Sequence, residues 1–221
     1  MEEKEMKASY SLCYEDQFDI EDDEQRKIML NSEIDEDIVS TIVYTILRFN
    51  IIDKGKQPED RKPIFIYINS PGGSVIDGLS LVDAITNSKT PVYTINLALA
   101  ASMAFHIFIA GHKRFSMPNS IFLSHQGESA SWGTASQVRE RVEFESNELA
   151  NVIKSHVLTH TNIDDKLYEH KYKTEWYFLP KVAKEVGVVD YIVGEDCDID
   201  AILPSIEKEV NEDTNIADTQ K

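Results

Sequence analysis

Cysteine, cationic charge and long apolar runs are all scarce in this chain, and each shortage removes a class of function. Only two cysteines occur, Cys13 and Cys197, and neither belongs to a C-x-x-C. Zinc ribbons and thiol–disulfide motifs need that spacing, so both residues read as free thiols in a reducing compartment. Lysines and arginines number 22 against 39 aspartates and glutamates, a net charge of −17. Binding to nucleic acid or anionic lipid depends on cations that neutralise phosphate, so neither partner is expected. The most apolar stretch, Ile95 to Gly111, is at the lower limit for a membrane span and contains Asn96, Ser102 and His106. It reads instead as a buried strand followed by a helix. The start, Met-Glu-Glu-Lys-Glu, lacks the basic, apolar, small-residue order of a secretory signal, and a cytoplasmic location is expected.

What remains is the composition of a soluble globular protein, 221 residues with 42% apolar and 28% charged. That length suits one α/β domain with extensions. An acidic arm over 1–27, with Asp19 and Glu21 to Glu24, is expected to be mobile or to serve in interaction. A single domain follows over 28–203, and a polar tail over 204–221 is expected to be disordered.

Within the domain, Ile34, Ile38, Val39, Ile42, Val43, Ile46 and Leu47 recur at helical spacing behind acidic residues and predict an amphipathic helix. The segment from Asp53 to Lys62 reads as a loop, and Ile64 to Ile68 as a buried strand running into the turn Asn69-Ser-Pro-Gly-Gly73. A helix from Val75 to about Ile85 and a strand from Val92 to Leu97 complete a parallel βαβ pattern. Beyond it the pattern predicts a helix over Ala100 to Ala110, a strand over Ile121 to Ser124 and a long helix from about Ser136 to His160. A short helix after Pro180 and a last strand from Val188 to Val193 follow.

Ser102 lies among small residues where a strand gives way to a helix, a place where backbone N–H groups can bind an oxyanion. By itself it reads more readily as a small residue chosen for packing. His125 ends an apolar strand, a rigid support for a reactive side chain. His106, four residues after Ser102, is a competing base or a core histidine bonded to a carbonyl. His156 and His160 share i, i+4 spacing that could suit a metal, but without H-E-x-x-H they read as a surface pair. Pro71-Gly72-Gly73-Ser74 is neither a Walker loop nor G-x-G-x-x-G, so no nucleotide site is expected; its glycines could aim N–H groups at a carbonyl. The G-x-S-x-G elbow of α/β-hydrolases is absent.

Together, Tyr67-Ile-Asn-Ser-Pro-Gly-Gly73, Leu99-Ala-Ala-Ser-Met103, Met117-Pro-Asn-Ser120, His125-Gln126 and Val186-Gly-Val-Val-Asp190 resemble the proteolytic subunit of the ATP-dependent Clp protease. The resemblance spans about Lys27 to Gly194. It implies a crotonase-like α/β fold of repeated ββα units, with the long helix between subunits. It also implies a serine endopeptidase that cleaves peptides or unfolded polypeptides without a cofactor. Ser102 is then the nucleophile, His125 the base, and the N–H groups of Gly73 and Met103 the oxyanion hole. Homo-oligomeric rings, a heptamer or double heptamer, would enclose the sites, fed by an AAA+ unfoldase.

Several positions depart from the pattern that this resemblance implies. Glu175 stands where the family has the aspartate of its triad, with Asp164, Asp165 and Glu169 as nearby alternatives. Gly127 replaces a proline, Ala104 a glycine, and His106 an apolar residue. The acidic arm differs from the family's axial segment. A non-catalytic ring subunit and a crotonase-like acyl-CoA enzyme are therefore the competing readings.

Overall fold

Apolar residues spaced three and four apart build the first helix, α1 (Glu36–Ile52), whose buried face is Val39, Ile42, Ile46 and Phe49. Asp35 caps it by accepting a hydrogen bond from Ile38 N–H at 2.9 Å, with Glu36 and Asp37 in the first turn. The structure, a computed structural model, describes residues 25–204 apart from 129. The acidic arm therefore lies outside the described residues up to 24, as does the tail from Ser205.

Five parallel strands lie side by side: β1 (Lys27–Leu30), β2 (Ile64–Ser70), β3 (Val92–Ala101), β4 (Lys113–Ser116) and β7 (Tyr191–Ile192). Parallel neighbours need a crossover, and α1, α2 (Val75–Thr86) and α3 (Met103–Ile109) supply the first three. Along one edge β3 changes partner. Tyr93 to Asn96 pair with β4, whereas Leu99 to Ala101 pair with β5 (Ile121–Ser124). Antiparallel to β5 runs β6 (Trp176–Phe178). The expected α/β class is what the chain adopts.

Alternation along β2 separates two layers of core. Ile64, Ile66 and Ile68 join α1, α2 and α3 in the main cluster, which includes Ile42, Ile46, Leu81, Ile85, Phe105 and Phe108. Phe65 faces the opposite way, to Ile95, Phe115, Val193 and Ile202. There Tyr67 Oη–H donates to the Ile202 carbonyl at 2.6 Å and fastens the last described turn to the sheet.

The strand expected over Val92 to Leu97 continues to Ala101, and the helix expected from Ala100 begins only at Met103. Alanine has little strand propensity, but Ala100 and Ala101 are buried, and their ladder to β5 overrides it. The short strands β1, β4 and β6, and helix α6 (Asp165–Tyr172), had no separate periodicity signal. The last strand shrinks to Tyr191–Ile192. The long helix is present as α4 (Ala135–Phe144), a π-helical turn (Glu145–Leu149) and α5 (Ala150–His160). A capping box between Thr134 and Gln137 starts it. After β6 comes α7 (Pro180–Glu185), with proline at its first turn.

The beginning of the domain is fixed by one ion pair. Asp53 is fully buried; Arg26 donates to it at 2.5 and 2.9 Å, Lys56 at 2.8 Å and Thr90 at 3.0 Å. Arg26, inside the segment read as arm, sits at φ +57° and also donates to the Lys62 carbonyl at 2.9 Å. Chelation by Asp53 offsets the strain of that left-handed backbone. The Arg26 guanidinium, aided by Lys56 and Thr90, holds the Asp53 carboxyl well below the usual carboxylate range against its own burial. Its stabilisation is complete above the ordinary pKa of 3.8 and is lost as pH falls from there. Asp53→Asn leaves the Arg26 charge buried without a counter-charge, and is expected to lower unfolding free energy by about 3–5 kcal/mol in urea denaturation.

Candidate active site

β3 ends where its ladder to β5 ends, and the next residue turns the chain sharply. Ser102 has φ +53° and ψ −123°, a conformation rare for any residue but glycine and one that costs about 1–3 kcal/mol. Two bonds hold it there: Ser102 N–H donates to the Leu123 carbonyl at 2.9 Å, and Phe105 N–H donates to the Ser102 carbonyl at 3.0 Å. Its hydroxyl makes no capping bond to α3. The turn thus presents a half-buried Oγ while its backbone is tied to the strand that carries His125.

His125 follows β5 directly and is half-buried. Leu123 lies opposite Ala101 in the parallel ladder, so Ser102 and His125 emerge at the same end of adjacent strands. On the other side of β5, Ser124 lies opposite Trp176, and continuing that antiparallel register by one residue sets Glu175 across from His125. The three residues therefore converge on one sheet end. Among the described residues no hydrogen bond joins Ser102 to His125 or His125 to Glu175, and Glu175 is exposed.

The alternative carboxylates are engaged elsewhere. Asp164 caps α6 by accepting from Leu167 N–H at 2.7 Å. Asp165 and Glu169 pair with Lys154 at 2.7 and 2.6 Å.

The glycine turn forms the third wall. Gly72 has φ +101°, and a Cβ there would lie 2.6 Å from Ser102 Cβ and 3.0 Å from Met103 N. Only glycine allows this approach. Gly73 bridges Ile34 through Ile34 N–H to Gly72 O at 2.9 Å and Ser74 N–H to Ile34 O at 2.8 Å. The N–H of Gly73 takes no part in that bridge. The Gly73 turn and Met103 N–H consequently flank the Ser102 turn.

Two polar residues missed by sequence reasoning shape this region. Ser70 Oγ, fully buried, accepts from Gly72 N–H at 3.2 Å and so steadies the glycine turn. Asn96, also fully buried, donates to the Ile121 carbonyl at 3.0 Å where β3 passes from β4 to β5. Ser70 lies inside Asn-Ser-Pro-Gly-Gly, a signal that could have found it; Asn96 had none beyond being polar in an apolar strand.

The remaining histidines fall out differently from their sequence pattern. His106 is buried on α3, its Nδ1 without a hydrogen-bond partner. Burial first, then the charges of His156 and His125, push its pKa down to about 3. His156 is buried as well, which overturns the surface pair: Val157 beside it completes the apolar seam of α5, and its ring donates to the His106 carbonyl at 2.9 Å. The described residues contain no group of three or more His, Cys, Asp or Glu placed to hold a metal. Nor does any described helix have the length and apolarity to cross a membrane. Cys197 is a free thiol, and Cys13 lies outside the described residues.

The Clp protease family model matches residues 17–196. The chain is 33% identical over 179 residues to ATP-dependent Clp protease proteolytic subunit 2 of Treponema denticola, covering 79% of this chain and 84% of that protein. It is 31% identical to proteolytic subunit 1 of Frankia casuarinae, over 76% of each chain. It is 30% identical to proteolytic subunit 3 of a Synechococcus species, over 76% of this chain and 82% of the other. With that extent of match and the Gly72, Ser102 and His125 arrangement in one place, the chain belongs to the Clp protease family.

Proposed function

We propose that this chain is a serine-type endopeptidase that cleaves peptides or unfolded polypeptides through an acyl-enzyme on Ser102. The observation that carries the reading is the positive-φ turn at Ser102, fastened to β5 two residues before His125. A protein tolerates such strain where geometry serves function, and a serine needs no such backbone merely to pack.

In this mechanism Ser102 Oγ attacks the peptide carbonyl carbon while His125 takes the hydroxyl proton. The N–H groups of Gly73 and Met103 bind the tetrahedral oxyanion. The C–N bond breaks, the leaving amine receives the proton from His125, and water activated by His125 hydrolyses the ester. Glu175, across the β5–β6 ladder, orients His125 and stabilises its cation. Hydrogen bonds of this kind are often loose without substrate, so the catalytic contact forms as substrate binds.

The active form on this reading is a homo-oligomeric ring fed by an ATPase, in keeping with the relatives' names as proteolytic subunits of an ATP-dependent protease. Exposed apolar side chains on three helices support an interface: Tyr44, Leu47 and Ile51 on α1, Val142 and Phe144 on α4, and Val152 on α5. The second reading, a ring subunit without activity, is favoured by the glutamate at 175 and the unjoined Ser102 and His125.

A fluorophosphonate separates the two. The assembled protein is expected to take the label on Ser102 and to hydrolyse a fluorogenic peptide, and Ser102→Ala to lose both; an unlabelled wild type favours the inactive subunit. Glu175→Gln should lower kcat by at least about tenfold, yet change stability by less than about 0.5 kcal/mol because the side chain is exposed. Unchanged turnover would move the orienting role to another group. Strain at Ser102 makes a separate prediction: Ser102→Gly abolishes turnover but raises unfolding free energy by about 1 kcal/mol over Ser102→Ala, which keeps the Cβ. Gly72→Ala should lose turnover and stability together, since its methyl group would strike Ser102.

A further inference from the structure

Behind the Ser102 turn the helices α3 and α5 are joined through imidazoles. His156 Nε2–H donates to the His106 carbonyl at 2.9 Å, and His160 Nδ1–H donates to the His156 carbonyl at 2.9 Å. Ring centroids are 6.0 Å apart for His106 and His156 and 4.4 Å for His156 and His160. His106 is 6% exposed and His156 8%. A chain of side chains thus runs from the neighbourhood of His125 through the α3–α5 contact toward the half-buried His160.

No carboxylate compensates a proton on His106. The strands packed against α3, namely β2, β3 and β5, contain no Asp, Glu, Lys or Arg, and neither does α3 itself. The titratable groups that act on His106 are His156 from α5 and His125 from the end of β5, both of which disfavour its cation. On α2 the charged residues are Asp77 and Asp83. Asp83 favours the cation of His156, and His160 opposes it. Burial outweighs both the hydrogen bond to the His106 carbonyl and Asp83, each of which favours the cation, so His156 too is held below its ordinary value.

We propose that His106 and His156 are positioning residues, a proton-sensitive fastening of α5 to α3 that holds the Ser102 turn in place and that acid releases. The effect on turnover rests on the peptidase reading above; the fastening itself rests only on packing. The physical reason is proton linkage. In the closed form burial disfavours a proton on either imidazole, whereas parted helices would expose them to water near the ordinary value of 6.5. The parted form binds more protons, so the closed form loses stability as pH falls below 6.5. One such imidazole changes the opening equilibrium by up to about tenfold per pH unit, and two on the order of a hundredfold. Because α3 begins at Met103, parting α3 from α5 loosens the Met103 N–H and the Ser102 turn before the sheet unfolds.

The test is amide hydrogen exchange on the full-length assembled protein between pH 7.5 and 5, with protection factors followed in α3 and α5. His106→Phe replaces the imidazole with an apolar ring, and His156→Gln keeps a donor for the His106 carbonyl without a titrating group. Wild-type protection is expected to fall by more than about tenfold per pH unit below pH 6, each variant by less, and the double variant by less than about threefold. Peptide turnover should follow, with an acid limb steeper than one proton in the wild type and no steeper than one proton in the double variant. Equal acid loss of protection in all four proteins would overturn the proposal. So would an NMR titration of the wild type showing His106 protonated at pH 6 while α3 stays protected, a measurement that holds even where His106→Phe fails to fold. Were no peptide cleaved at any pH, the peptidase reading would fail while the exchange series still decided the fastening.

Discussion

The hydrogen bond from Ser102 N–H to the Leu123 carbonyl is the contact on which the site depends. Along one edge β3 must serve two strands in succession, β4 and then β5, and the ladder has to be interrupted between them. Asn96 bridges the interruption by reaching the Ile121 carbonyl. Once β5 has taken over, its carbonyl at Leu123 catches the chain one residue past the end of β3 and fixes the turn. An unpaired backbone N–H here would be costly to bury, so the same bond that satisfies the strand end also holds Ser102 at positive φ. On the proposed peptidase reading, catalytic geometry and sheet closure are one structural event.

Strain at Ser102 persists because neighbours leave no room to relax. Gly72 presses against its Cβ with no side chain of its own, and the Ser70 hydroxyl and the Ile34 bridge keep the glycine turn in position. Each of these contacts is small. Together they over-determine one residue, which is how a conformation costing about 1–3 kcal/mol survives in the native state. The Arg26 backbone uses the same logic at the opposite end of the domain, with a buried carboxylate in place of a close-packed glycine.

Amphipathic spacing made α1, α2 and the long helix readable, and the β-branched run at Ile64 to Ile68 made β2 readable, because each carries a period that burial requires. Three features had no such period. The end of β3 is built from Leu97 to Ala101, small and apolar residues as compatible with a helix as with a strand; only the ladder to β5 decides. The strands β1, β4 and β6 have three or four residues each, too few for a pattern, and exist through pairing. His156 looked solvent-facing because i, i+4 histidines are polar, and its burial follows from α5 lying across α3, which no local window contains. At the site, sequence motifs supplied the residue types, while the positive φ of Ser102 and the position of Glu175 across from His125 came from tertiary pairing.

On the proposed peptidase reading, a glutamate at 175 in place of the aspartate that the family resemblance implies is easier to accommodate than a single methylene would suggest. Glu175 precedes β6, is exposed, and takes part in no ion pair among the described residues, so its side chain is not committed to another role. The backbone beneath it is held by β6, where Phe178 stacks on Phe122 of β5 and Trp176 lies 4.4 Å from Phe178 between ring centroids. A rigid ladder with a longer, exposed carboxylate at its end can adjust its reach by rotation about its side-chain bonds rather than by moving the strand. Ordering that side chain against His125 would have an entropic cost, less of which a shorter aspartate would bear. On that reading the glutamate bears on how readily the imidazole is held for catalysis, and leaves untouched the backbone that brings the imidazole there.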